Sequence, residues 1–153
     1  RSRRLTDYLR ALDDWSAWFP AEHIYVGFME DVMRHPEALL SDICRFVGLP
    51  SAEVVHSAGK VIHRGSVSTM PTALAARLAE IYASPAADMA ARLGAYAGFW
   101  SFCTQRLRAG AGDAREVRYP FLETPLWDEW VAAGGQPPEG LQSGTLDRVD
   151  RRR

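Results

Sequence analysis

The sequence predicts an α/β fold in which helices predominate and a single strand stands out. Three observations predict it: apolar residues recur three and four apart in several stretches, a short β-branched and aromatic run sits at 23–28, and proline and glycine punctuate the helix ends. The 153 residues, 47% hydrophobic and 24% charged, suffice for one buried core and are too few for two ordinary domains.

From Leu5 to Phe19, apolar side chains fall at Leu5, Tyr8, Leu9, Leu12, Trp15, Trp18 and Phe19, with Asp7, Arg10, Asp13 and Asp14 between them. That spacing is one face of a helix, and core packing is the expected role of Trp15 and Trp18. Pro20 stops the helix, because its ring fixes φ and it has no N–H to donate. His23 to Phe28 then reads as a buried strand. Pro36 opens a second helix with Leu39, Leu40, Ile43, Phe46 and Val47 on its apolar side, and Gly48 and Pro50 close it in the expected order.

Ser51 to Met70 lacks a sustained period and reads as a helical turn followed by an irregular loop, the kind of segment that often carries function. Thr72 is expected to cap a third helix, with Leu74, Leu78, Ile81 and Tyr82 inward, and Pro85 to open a fourth, with Met89, Leu93 and Tyr96 inward. The organisation expected is a body over 1–107, a linker over 108–118, an aromatic segment over 119–131 and a disordered tail over 132–153. One strand cannot satisfy its own backbone, so its partners must come from outside the segment, or the chain is mostly helical.

A net charge of −1 gives no electrostatic footprint for nucleic acid, and no apolar run of membrane-spanning length occurs, so neither a nucleic-acid nor a membrane partner is expected. Arg1-Ser2-Arg3-Arg4 has no apolar segment behind it to make a signal peptide, and a chain opening without methionine leads us to expect polypeptide upstream. Cys44 and Cys103 lack metal-ligand spacing and are expected as reduced thiols of a cytoplasmic protein, with no metal site. Among the histidines, His23 and His35 read as surface or capping residues, and His56 and His63 as polar loop residues. Glu30 and Asp31 are adjacent, so their side chains diverge; capping the next turn or bonding an arginine is the expected role.

Three stretches stand out in order. The first runs from Tyr8, Leu12, Trp15 and Phe19-Pro20 through Ile24 to Phe28, Glu30-Asp31 and Pro36, to Phe46-Val47-Gly48-Leu49-Pro50. The second is Arg64-Gly65 ahead of Met70-Pro71, and the third is Leu78, Ile81-Tyr82, Leu93-Gly94 and Phe99-Trp100. Together, over roughly the first hundred residues, they resemble the sulfotransferases that use 3′-phosphoadenosine 5′-phosphosulfate, especially the bacterial and heparan-sulfate-type branches.

The resemblance implies the carboxy-terminal, mostly helical portion of a P-loop-like sulfotransferase fold, and a loop closing on the nucleotide end of the cofactor. Arg64 and Gly65 are the cofactor-binding candidates. A guanidinium pairs bidentately with a 3′-phosphate, and glycine lets backbone amides approach it. Met29 stands where the cytosolic branch has a tyrosine against the adenine; its thioether can lie on a purine but donates no hydrogen bond.

The family grips the phosphosulfate with a lysine-bearing turn at a helix start, which favours an anion through amides and dipole together. The sole lysine, Lys60 in Ser57-Ala58-Gly59-Lys60, has no strand before it or long helix after it and is read as a surface residue. The grip and the catalytic base are therefore expected upstream of Arg1, no residue of this chain is assigned a catalytic role, and this segment alone is expected to be inactive. The acceptor implied is a hydroxyl or amine of a carbohydrate or small metabolite. The competing expectation is a non-catalytic helical module that binds a partner through Tyr119 to Trp130, where Trp127 and Trp130 have little else to bury. A different nucleotide-binding enzyme with the same helix order is the third, since fold alone does not fix function.

Overall fold

The computed structural model describes residues 7–50, 68–110, 115–119 and 121–151. It is mostly helical with two small antiparallel strand pairs, consistent with the broad α/β class. The chain divides into two compact units, Arg1–Lys60 with Glu139–Arg153, and Val61–Pro138.

In the first unit, α1 spans Tyr8–Ser16, and Asp7 caps it by accepting from the Arg10 amide at 3.2 Å. A 3-10 turn at Ala21–His23 leads into β1, Tyr25–Val26. Then follow α2, Met29–Arg34, and α3, Pro36–Phe46. Pro36 is the first residue of α3 as expected, and the helix ends in a Schellman motif. Gly48 takes φ +76°, its amide donates to Arg45 O at 3.2 Å, and the Leu49 amide donates to Cys44 O at 2.8 Å.

The expected strand over 23–28 is thus two residues long, and its partner lies within the chain. β1 pairs antiparallel with β4, Gly144–Thr145, which leads into α7, Leu146–Asp150. Within the stretch expected to be a disordered tail, β4 and α7 form instead: Ser143, Leu146 and Val149 are almost fully buried, as is Phe28. Two apolar anchors three residues apart give α7 one buried face, which the polar composition around them conceals.

Trp15 and Trp18 depart from the core role expected of them. α1 has no buried residue, Trp18 lies beyond its end and is 84% exposed, and Trp15, 59% exposed, stacks on Phe19 with ring centroids 5.4 Å apart. Periodicity identifies an apolar side but not what covers it.

In the second unit, β2, Ser68–Pro71, pairs antiparallel with β3, Glu116–Tyr119, so the last three residues of the expected linker are strand. α4 runs unbroken over Thr72–Leu93, and Pro85 lies inside it rather than opening a fourth helix. Proline deprives the Ile81 carbonyl of its helical donor, but both residues are exposed, so water can take that bond. Thr72 is the first helical residue, and Pro71 holds the cap position without a side-chain bond.

α5, Ala95–Arg108, packs back along α4 after a one-residue turn at Gly94, whose φ +60° and ψ −145° suit only glycine. A 3-10 turn at Phe121–Glu123 and α6, Pro125–Ala132, complete the unit. Ala75, Ala79 and Leu107 form one core cluster, and Phe99, Cys103 and Trp130 another; Phe121 packs against both. α6 ends like α3, with Gly134 at φ +89° and the Gly135 amide on Trp130 O at 2.9 Å. The Trp130 ring lies where a side chain on Gly135 would project, so that glycine is required for close approach as well.

Candidate functional site

The densest polar arrangement among the described residues fastens the C-terminal segment to the N-terminal part of the first unit. Asp31, in the first turn of α2, is fully buried and presents Oδ2 to three donors. These are the Gln142 amide at 2.9 Å, the Ser143 amide at 2.6 Å and Ser143 Oγ at 2.7 Å. The same Ser143 hydroxyl accepts from the Phe28 amide at 2.9 Å, so it satisfies the entrance to α2 from outside.

Asp42, on the buried side of α3, makes the second fastening. Tyr25 Oη donates to its Oδ2 at 2.9 Å, Arg45 Nη1 to its Oδ1 at 2.7 Å, and Arg148 of α7 holds both oxygens through Nη1 and Nη2. Arg148 Nη2 also donates to Ser143 O, which joins the two fastenings. Burial by itself would raise the Asp42 carboxyl, yet the hydrogen bonds from Arg148 and Tyr25 and the charges of Arg148 and Arg45 hold it below the usual carboxylate range. Burial, followed by the bond to Asp42, pushes the Tyr25 phenol well above its ordinary value.

Tyr25 therefore stays protonated and Asp42 ionised throughout the neutral range, and neither exchanges a proton there. The cluster is a structural clasp. Sequence reasoning missed it because Asp31 and Ser143 stand 112 residues apart, and a pairing at that separation leaves no local pattern. Glu30 and Asp31 do follow β1, and Asp31 accepts from a serine hydroxyl and two backbone amides of the Gln142–Ser143 segment. A carboxylate on the buried side of α3 was the available signal for Asp42.

Arg64 and Gly65 lie outside the described residues, as do Lys60, His56 and His63. On the chain's return, β2 is held in register by β3, Thr69 opposite Arg118 and Met70 opposite Val117, and passes directly into α4. No acidic side chain occupies the first turn of α4 itself, and Glu116 of β3 stands opposite Pro71 at its cap position. Met29, first residue of α2, is 69% exposed. His23 is exposed at the end of its 3-10 turn, and His35 is half-buried at the junction of α2 and α3.

The tryptophans read as partner contacts have partners inside their own unit. Trp127 meets Phe99 edge-on at 4.9 Å between centroids, Trp130 lies 5.5 Å from Phe99, and the two indoles are 5.0 Å apart. Cys44 and Cys103 are buried thiols outside any disulfide. Among the described residues no group of His, Cys, Asp or Glu is placed to hold a metal ion, and no helix is long and apolar enough to cross a membrane. Comparison with known proteins finds no matching family model, no matching curated protein and no matching solved structure.

Proposed function

We propose that the chain is the carboxy-terminal part of a sulfotransferase that uses 3′-phosphoadenosine 5′-phosphosulfate and transfers its sulfuryl group to a hydroxyl or amine of a carbohydrate or small metabolite. The observation that carries this reading is serial order. α1 precedes a short strand, Glu30-Asp31 follows that strand, a proline opens α3, a left-handed glycine closes it, and Pro71 leads into the long α4 and then α5. The marker residues of the family pattern occur in that same succession.

On this reading the cofactor supplies the activated sulfuryl group, and the residues of this chain hold its nucleotide end. Arg64 pairs with the 3′-phosphate, and Gly65 leaves room for backbone amides to reach it. The phosphosulfate grip and the acceptor's base are assigned to no residue here. The alternative of a partner-binding module through Tyr119–Trp130 loses its main support, because Trp127 and Trp130 are engaged with Phe99.

Calorimetric titration of the full-length protein with 3′-phosphoadenosine 5′-phosphate tests the proposal. Loss of charge-assisted bonds to a phosphate should weaken binding by roughly 10–100-fold in Arg64→Ala. Unchanged affinity in that variant removes Arg64 from the site, and no binding by the wild type removes the reading altogether.

A further inference from the structure

Segment 139–153 docks on a surface of the first unit built from the 3-10 turn at Ala21–His23, β1, the start of α2 and α3. That surface reads the segment along its length. β1 takes it up as an antiparallel strand, Val26 opposite Gly144 and Tyr25 opposite Thr145, and Ile24 O accepts the Leu146 amide at 2.8 Å. Asp31 accepts from the amide and hydroxyl of Ser143, Asp42 accepts from the Arg148 guanidinium, and Leu146 and Val149 are each 2% exposed. A side chain on Gly144 would project into that guanidinium, so the glycine is required as well. Strand addition, with side chains recognised beside it, is a recurring mode of peptide uptake.

None of these bonds involves a residue of 61–138, so each forms equally when the segment belongs to another copy. We propose that the first unit accepts segment 139–153 of a second copy, and that two chains exchange these segments in a closed two-fold dimer. The occupant follows from complementarity: the surface presents the carboxylates of Asp31 and Asp42, and this segment carries the amides, hydroxyl and guanidinium that satisfy them. The connection argues for exchange. The segment is reached through 133–139, which lies outside helix and strand, with Gly134, Gln136 and Pro137 exposed. Fastening a chain to itself closes a loop from Asp31 to Ser143, 112 residues apart, and Pro137-Pro138 favours an extended connection over a returning one. Exchange makes the same bonds and is driven by protein concentration. The inference does not depend on the sulfotransferase reading.

Two full-length variants test it. Arg148→Glu sets a carboxylate against Asp42, and Asp42→Arg sets a guanidinium against Arg148, so neither chain fastens its own segment or that of an identical copy. Mixed, they exchange: the native segment of the Asp42→Arg chain docks on the native surface of the Arg148→Glu chain, and the two altered groups meet as an opposite-charge pair. By sedimentation velocity the equimolar mixture is expected to hold about tenfold more of a species of twice the chain mass than either variant alone. Wild-type protein is expected to show a dimer fraction that rises with concentration, and labelled and unlabelled wild type to form mixed dimers by native mass spectrometry. That second arm holds whether or not the variants keep their fold. A mixture that stays at the chain mass overturns the proposal, as does a wild type that stays there up to about 1 mM, the scale of effective concentration for a linked pair. A dimer equally abundant in either variant alone places self-association on another face and overturns it too.

Discussion

The two units differ in how their parts are brought together. The second is continuous in sequence, and its core is an aromatic and aliphatic cluster in which Phe99, Trp127 and Trp130 interlock. The first joins residues from opposite ends of the chain, and carboxylates at its centre make the join: Asp31 receives the Ser143 turn, and Asp42 receives Arg148. Apolar packing is non-directional, so the second unit should degrade gradually when a side chain is trimmed. A buried carboxylate leaves desolvated donors behind when removed, so the first unit should fail abruptly.

The largest expected effect is that of deleting 139–153. β1 loses its partner strand, and Asp31 and Asp42 lose their donors from that segment, so amide hydrogen exchange across 21–50 should rise toward the unfolded rate. Protection retained across β1 and α3 would show that the clasp is dispensable.

Trp130→Ala is next, with a loss of about 3–5 kcal/mol by denaturant titration, because it empties the centre of the Phe99 cluster. Its exchange signature should lie in α5 and α6 and leave the clasp untouched. Gly135→Ala should cost less, about 1–3 kcal/mol, by driving a methyl group into the Trp130 ring. Wild-type stability in that variant would mean that the ring moves aside freely.

The smallest expected effect concerns pH. The Asp42 carboxyl is held below its unfolded value, so its contribution is fully present above about pH 4, the unfolded range of an aspartate, and is lost as pH falls through the lower folded value. Asp42→Asn should lower the neutral plateau, as loss of a buried carboxylate does, and the pH-dependent part of its effect should be a flatter acid limb in the stability–pH profile of the first unit. An identical acid limb in the variant would place the acid sensitivity elsewhere.

The same contrast explains what the sequence made legible. Local grammar carried α3 almost whole, since Pro36 and Gly48 each act on their immediate neighbours. It misled at Pro85, where a residue that usually starts or breaks a helix sits on an exposed turn that tolerates the missing bond. The clasp was invisible because its pairings span more than a hundred residues, and α7 hid in polar sequence with Leu146 and Val149 as its buried anchors. Trp127 and Trp130 were misjudged for the same reason: Phe99, which covers them, is distant in sequence. Arg64 and Gly65 lie outside the described residues, and their proposed role rests only on the order of motifs around them.

The most direct measurement compares two nucleotides on one protein, 3′-phosphoadenosine 5′-phosphate and adenosine 5′-monophosphate, which differ only in the 3′-phosphate. Binding tighter by about tenfold or more for the first, with the difference abolished in Arg64→Ala, is the expected result. Equal affinity for the two nucleotides, or a preference that survives Arg64→Ala, would contradict a 3′-phosphate site at this arginine.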